Sequence, residues 1–498
     1  MKIRTIITQD AEVDDQNSLR HFMFYANEVD LLGIVQTSSK FHWIGVPGAV
    51  KPEKESQGDF EFEIESGPFD APYRWTGTDW MMRVADDYEK DYPNLIRHAQ
   101  GYPTPDYVRS IIKIGNVGYE GEMEKPSEGS ELIRKCILDP DERPLYIQVW
   151  GGTNTICRAL IDIEAEYADT AEWPELHKAI SEKVIITACG EQDPTYRSYM
   201  AEKWPDMQFV KTLQMFSYAY PWLSMPEGDS KDTLRAAFMK KEILDKKSAL
   251  TDGYCTWLDG VYYEGELEES QFGTNEKLLD EWFGFKIMHL PKAVPYDFLS
   301  EGDSPTYFPL FDWGFRTLED FSYGGISGRY EKKHDQFNSK GQPLNLWDVT
   351  TEEYTARDGS KTVCESMWRY VVDIQRDFAA RVDWASKEKY SEAEHKPTLS
   401  IIEGTDLIAA AGETVTLHAK SDNPDGLENV ISFRIYKEAS GSSVADAAME
   451  SKADSADIQI PKDAVAGENL HVIVKAESKG HYRLGYYQQV IIEVKGSM

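Results

Sequence analysis

Short apolar runs alternate along the chain with longer amphipathic stretches. Residues 2–8 (KIRTIIT) and 31–37 (LLGIVQT) are apolar runs of strand length. Between them, residues 15–27 (DQNSLRHFMFYAN) place Leu19, Phe22, Met23 and Tyr25 at helical spacing. Strand, helix and strand in that order predict a parallel β-α-β unit with a right-handed crossover. The pattern returns downstream, with a helix over 130–138, a strand over 144–150 (PLYIQVW), a helix over 152–168, a strand over 183–188 (KVIITA), a helical stretch over 194–203 and a short strand over 208–211 (QFVK). The fold class this predicts is α/β, with a doubly wound, mostly parallel sheet.

Two stretches break the rhythm. Residues 40–125 are rich in Gly, Pro and aromatics (Trp43, Trp75, Trp80, Tyr102) and read as an irregular insertion at the rim of a pocket. Residues 275–330 are similar in character, and 360–385 read as one long helix. After residue 396 the periodicity changes to short alternating strands with polar turns, which predicts an immunoglobulin-like β-sandwich. The expected division is an α/β domain with a helical extension over 1–395 and the sandwich over 396–498, with "KSDNPDGLENV" as a turn between two sandwich strands.

A length of 498 residues suits two or three domains. A formal net charge of −33 and the lack of a dense Lys/Arg cluster argue against nucleic-acid and anionic-membrane partners. No apolar run is long enough to span a bilayer. Five cysteines without CxxC spacing give no zinc or disulfide framework. The compartment expected is secreted or periplasmic after removal of a signal, or else cytoplasmic.

The chemistry concentrates in "QDAEVDDQNS", where Asp10, Glu12, Asp14 and Asp15 sit between the first strand and the first helix. One Asp is explained as a helix N-cap, but three carboxylates in one loop are better explained by a hard divalent cation. Oxygen ligands without Cys or His suit Ca²⁺ or Mg²⁺ rather than zinc. Further ligands are expected from other strand ends, in "IQVWGGTNT" (Trp150, with glycines that admit close backbone approach) and "SEGDSPTYF" (Asp303).

These motifs together resemble the nucleoside hydrolases, whose opening motif is Asp-Pro-Gly-x-Asp-Asp; here Ala11 and Glu12 replace Pro and Gly. "DAEVDDQNSLRHFMFYANEVDLLGIVQTSSKFHW", "GSELI", "VWGGTNT", "EGDSPTYF" and "YGGISGRY" resemble more specifically the nucleoside hydrolase-like family of bacterial cellulose-binding proteins, over nearly the whole chain. The resemblance implies a Ca²⁺ cofactor held by Asp10, Asp15, Asp303 and the Trp150 carbonyl. It also implies Asp10 as the base that takes a proton from water, and Asp14 as a catalytic, sugar-binding carboxylate. The ribose-holding loop of the hydrolases is replaced by "CGEQDPTYR", so Glu191, Gln192 and Asp193 become the candidates for gripping a sugar. His42, Trp43 and Arg329 are further candidates to line the pocket, each with a structural alternative; Asn154 is expected to cap the helix after "WGG" or to touch the ligand. The implied function is Ca²⁺-dependent hydrolysis of an N- or O-glycosidic bond in a nucleoside or oligosaccharide, with carbohydrate binding without turnover as the alternative. A homo-oligomer is also compatible.

Overall fold

The computed structural model describes residues 2–51, 67–279 and 292–496; parts of the two irregular stretches (52–66 and 280–291) lie outside the described residues. The body is built on an eight-stranded sheet of order β3-β2-β1-β4-β5-β6-β8-β7. Its strands are β1 Ile3–Gln9, β2 Val29–Gln36, β3 Ile112–Ile114, β4 Leu145–Val149, β5 Val184–Ala188, β6 Gln208–Lys211, β7 Tyr330–Lys332 and β8 Leu346–Val349. Every pair is parallel except β7 with β8.

Alternation along the central strands feeds two cores. Ile6, Ile147, Val149, Ile186 and Phe209 pack with helices α4 (Glu128–Leu138), α5 (Asn154–Tyr167) and α6 (Trp173–Lys183) on one face. Ile7, Ile34, Tyr146 and Val210 pack on the other with α1 (Val13–Met23), α2 (Asp79–His98) and the helix Val371–Ala385.

Two expectations need correction. The stretch 40–125 contains α2, a helix of 20 residues, and the shorter α3 (Pro105–Ser110). Trp80, Met81, Val84, Ala85, Tyr88 and Leu95 of α2 recur every three or four residues and are buried, which holds the helix despite Pro93 and a charged outer face. The stretch 360–385 is not one helix. Lys361–Glu365 is strand β10, paired with β9 (Thr351–Thr355); a 3₁₀ turn over Ser366–Tyr370 follows, and only then the helix. The cause is Asp358-Gly359, a turn pair whose glycine sits at φ +83° and closes a hairpin.

Beyond residue 397 two four-stranded sheets form the sandwich, of order β11-β13-β16-β15 and β12-β18-β17-β14, with β11 Thr398–Ile401, β12 Asp406–Ala409, β15 Ala448–Ser451 and β16 Ser455–Gln459. Strands β17 (Asn469–Ser478) and β18 (Gly485–Val494) are the longest. "KSDNPDGLENV" does turn between β13 (Thr414–Asp422) and β14 (Asn429–Ile435). The sandwich shares the large core of the body through Tyr436, Ile473, Tyr482, Leu484 and Tyr487. Tyr487 donates to Asp373 at 2.5 Å, and Lys475 donates to the same carboxylate at 2.7 Å. All five cysteines are unbridged. Among the described residues no helix is long and apolar enough to cross a membrane.

Candidate functional site

β1 and β4 are neighbours in register, so the residues that follow them, Asp10 and Trp150, emerge side by side at the carboxyl edge of the sheet. Ala11 takes a left-handed φ of +75° and turns the chain into α1, whose first turn carries Asp14 and Asp15. The positive end of the helix favours acids there. The Asp10 N–H donates to Asp15 Oδ1 at 3.0 Å and ties the two together. Gly151 and Gly152 answer real crowding: a Cβ would lie 2.7 Å from Asp10 Cβ in the first case and 2.2 Å from Asp193 Oδ2 in the second. Asp303 arrives from the loop after Ser300, whose hydroxyl donates to Asp14 at 3.1 Å. One oxygen from each of Asp14, Asp15 and Asp303 lies within 4.8 Å of the others.

Asp10, Asp15 and Asp303 are almost wholly buried. Burial, then the Glu12 and Asp10 charges, push Asp14 up to about 8. Burial, then the neighbouring carboxylates, push Asp15 and Asp303 well above the usual carboxylate range. Asp10 Oδ2 and Asp303 Oδ2 have no hydrogen-bond partner among the described residues. Buried, converging, unsatisfied carboxyl oxygens are costly as they stand, and a hard cation would satisfy them. Cys189 lies nearby, and burial and then the Asp303 charge raise its thiol well above the ordinary range. The donor set therefore fits an oxygen-loving divalent ion.

A second network leans on the first. His42 Nε2 is 2.9 Å from Glu266 Oε2, while its Nδ1 faces Asp10 Oδ2 at 3.8 Å without a hydrogen bond. Arg74 donates to Glu266 at 2.7 Å and to Glu12 at 3.1 Å, and Tyr220 donates to Glu12 at 3.3 Å. Burial and Arg74 push His42 down, but Glu266 and Asp10 outweigh them and hold it at about 9. Burial pushes Asp10 up, yet His42 and hydrogen bonds bring it to about 2. Arg74, Tyr220 and Glu266 carried no local signal: Arg74 falls in the stretch read as irregular, and Glu266 in an acid-rich loop that resembles ordinary solvated surface.

The remaining candidates are placed as follows. The Trp150 carbonyl accepts from Gln192 Nε2, which also donates to the Cys189 carbonyl at 3.2 Å. Glu191 is turned to Arg197, with N–O distances of 2.6 and 2.7 Å, and towards Lys211. The Asp193 carboxylate, not Asn154, caps α5: it accepts from the Asn154 N–H at 3.0 Å and from Thr153 and Thr195. The Asn154 side chain is consumed by Thr37, Ser38, Asn116 and Glu122. Trp43 donates to the carbonyls of Pro68 and Ala71 and packs on Phe69 and Tyr73. Arg329 is not brought to the carboxylates; it pairs with Glu352 at 3.3 Å, and its N–H donates to Ser366. The structure thus gathers Asp10, Asp14, Asp15, Asp303, the Trp150 loop and His42. Gln192 lies in the floor and the others brace the surrounding loops.

Comparison with known proteins agrees with this architecture. The family described as "Cellulose-binding Sde182, nucleoside hydrolase-like domain" matches residues 4–330, and "Cellulose-binding protein Sde0182, C-terminal domain" matches residues 414–494. Among solved structures, a nucleoside hydrolase-related hypothetical protein from Saccharophagus degradans, described as associated with carbohydrate metabolism, is 25% identical. It covers 99% of this chain and 100% of its own, with a TM-score of 0.69. A plant nucleoside hydrolase is 9% identical and covers 76% of this chain and 99% of its own, with a TM-score of 0.33. No curated protein matches the chain.

Proposed function

This chain belongs to the cellulose-binding Sde182 family with its nucleoside hydrolase-like domain, and from that premise we propose that it is a Ca²⁺-dependent hydrolase of a glycosidic bond in a sugar or oligosaccharide. The observation that carries the reading is the convergence of three carboxylates, two of them buried, with an Asp303 oxygen that has no partner among the described residues, at the carboxyl edge of a parallel sheet.

Asp10, Asp15, Asp303 and the Trp150 carbonyl would hold the ion. When bound, the ion supplies positive charge that orients sugar hydroxyls and acidifies a nearby water. Asp14 faces the same space and would accept hydrogen bonds from the sugar. Asp10, ionised at neutral pH because of His42, would take the proton of the attacking water. Attack on the anomeric carbon breaks the glycosidic bond, the bonding pair leaves with the departing group, and the configuration inverts. The carboxylates around the site would stabilise the positive charge that develops on the sugar. A glycan ligand of this kind suits a secreted or periplasmic protein.

One observation favours the second reading, binding without turnover. Glu191, Gln192 and Asp193, the loop residues expected to grip a sugar, are engaged with protein partners. The two readings separate in one assay: EDTA-treated protein with and without added Ca²⁺, offered nucleosides and cello-oligosaccharides and followed by reducing-sugar release. Ca²⁺-restored release supports hydrolysis; Ca²⁺-dependent binding without release supports the second reading.

A further inference from the structure

The loop that carries Asp303 is tied down on both flanks. On one flank stands a stripe of α1: Asp14, Asn17, Ser18 and His21 recur every three or four residues and share one face of the helix. Asp14 accepts from the Ser300 hydroxyl at 3.1 Å, and the Asn17 amide donates to the Ser300 carbonyl at 3.1 Å. The Ser304 hydroxyl lies 3.1 Å from that of Ser18, and His21 Nδ1 lies 2.7 Å from Glu301 Oε2. On the other flank stands β4. The Trp150 indole N–H donates to the Thr306 hydroxyl at 2.8 Å, and that hydroxyl donates to the Asp303 carbonyl at 2.6 Å. Gln148 Oε1 is 3.2 Å from the same hydroxyl, and the Gln148 amide donates to Thr5 of β1 at 2.8 Å.

Apart from Asp14, all of these side chains are buried. Apolar groups of the same shape would hold the loop about as firmly, since a buried hydrogen bond adds little net stability. What hydrogen bonds add is a fixed distance and direction. Their placement here is selective. The Asp303 backbone and its neighbours at 300, 301, 304 and 306 are bonded, whereas Asp303 Oδ2 has no partner among the described residues. The loop is held while the ligand oxygen is left open.

That arrangement bears on which ion the site accepts. Ca²⁺ takes oxygens at about 2.3–2.6 Å and Mg²⁺ at about 2.0–2.1 Å. Exchanging the first for the second asks every ligand to move inward by a few tenths of an ångström. The candidate ligands come from four places: Asp10 after β1, Asp15 on α1, Trp150 after β4 and Asp303 on the loop. The bonds above tie the loop to the other three elements, so it cannot follow a smaller ion without breaking buried hydrogen bonds. Trp150 thereby acts twice, with its carbonyl as a candidate ligand and with its indole, through Thr306, on Asp303.

We infer that Thr306 and the Trp150 indole are positioning residues that hold the Asp303 loop at Ca²⁺ spacing and so make the site reject Mg²⁺. The inference rests on the cation reading above and needs no turnover.

The test is calorimetric titration of the full chain, stripped with EDTA and desalted, with Ca²⁺ and with Mg²⁺ separately. The wild type is expected to bind Ca²⁺ much more tightly than Mg²⁺. Thr306→Val keeps the side-chain shape and removes the hydroxyl; Trp150→Phe keeps the backbone carbonyl and removes the indole N–H. Each should weaken Ca²⁺ binding about tenfold or more and leave Mg²⁺ binding equal or tighter, so that the ratio of the two affinities falls. Thr306→Ser, which retains the hydroxyl, should keep the wild-type ratio. Thermal unfolding of the ion-free forms runs alongside: a merely structural role lowers the melting temperature and leaves the ratio where it was. A ratio unchanged in both Thr306→Val and Trp150→Phe overturns the inference, as does a wild type that binds both ions alike. A Thr306→Ser ratio as low as that of Thr306→Val would assign the effect to the lost methyl group and overturn it too. Should Thr306→Val fail to fold, Trp150→Phe and Thr306→Ser decide by the same ratio. A wild type that binds neither ion defeats the cation reading itself, and the positioning role with it.

Discussion

At the scale of single residues, the structure is a balance of buried charge. Asp14, Asp15 and Asp303 are raised by burial and by one another. A carboxyl whose folded pKa exceeds its unfolded value of 3.8 binds more protons folded than unfolded, so its contribution to stability is complete below that value and is lost as pH rises through the folded pKa, for Asp14 about 8. The EDTA-treated protein should therefore melt at a lower temperature at pH 8 than at pH 6, and Ca²⁺ should restore more of the melting temperature at pH 8. Asp303→Asn removes one of the repelling charges: its EDTA-treated form should melt higher than the wild type at pH 8, and its Ca²⁺ affinity should fall more than about 100-fold, beyond what losing a supporting partner costs. Ala11 offers a simpler check. At φ +75° it excludes proline, whose ring fixes φ near −65°. Ala11→Pro should abolish Ca²⁺ binding, measured by calorimetry, because it unmakes the turn that carries Asp10 to Asp15. The acidic loop was legible in the sequence because its charges are adjacent. Arg74 and Glu266 were not, because more than 190 residues separate them and only the folded loops bring them within hydrogen-bond distance.

At the scale of elements, the central parallel strands were read correctly because strands buried on both faces are continuous apolar runs. Helix α2 was missed because its buried positions are diluted by Asp, Glu and Lys on the outer face and interrupted by Pro93. Strand β10 was absorbed into the following helix because a short exposed hairpin buries little; of its five residues only Cys364 is buried, and the Asp-Gly pair was the remaining signal. The Trp-Gly-Gly turn after β4 gives the prediction that belongs here. Gly151→Ala places a methyl group 2.7 Å from Asp10 Cβ. It should lower Ca²⁺ affinity about tenfold, the effect of shifting a ligand rather than deleting it, with little change in the melting temperature of the EDTA-treated protein. An affinity equal to the wild type would show that the Asp10 loop moves aside without consequence.

At the scale of the whole molecule, the body and the sandwich are joined through one core rather than tethered by a linker. Tyr487 is buried against Phe315 and Tyr370 and donates to Asp373, while Tyr436 donates to Glu352 at 2.6 Å. The change of periodicity after residue 396 marked the start of a new architecture, but nothing in the sequence revealed how much apolar surface the two parts share, since that depends on aromatic residues scattered from Phe315 to Tyr487. Thermal unfolding by calorimetry should show a single transition, and Tyr487→Ala should cost about 3–5 kcal/mol, as truncation of a buried aromatic does, and lower that one transition. Two separate transitions, with only the second moved, would contradict a shared core.

The central claim, that the acidic edge of the sheet is a cation site, is tested most directly by calorimetric Ca²⁺ titration of the EDTA-treated protein at pH 6 and pH 8 in buffers of different ionisation enthalpy. Asp14 holds its proton below about 8, so binding should tighten from pH 6 to pH 8, and the apparent enthalpy should vary with buffer because protons are released as Ca²⁺ enters. No binding at pH 8, or an affinity and enthalpy indifferent to pH and buffer, would contradict it.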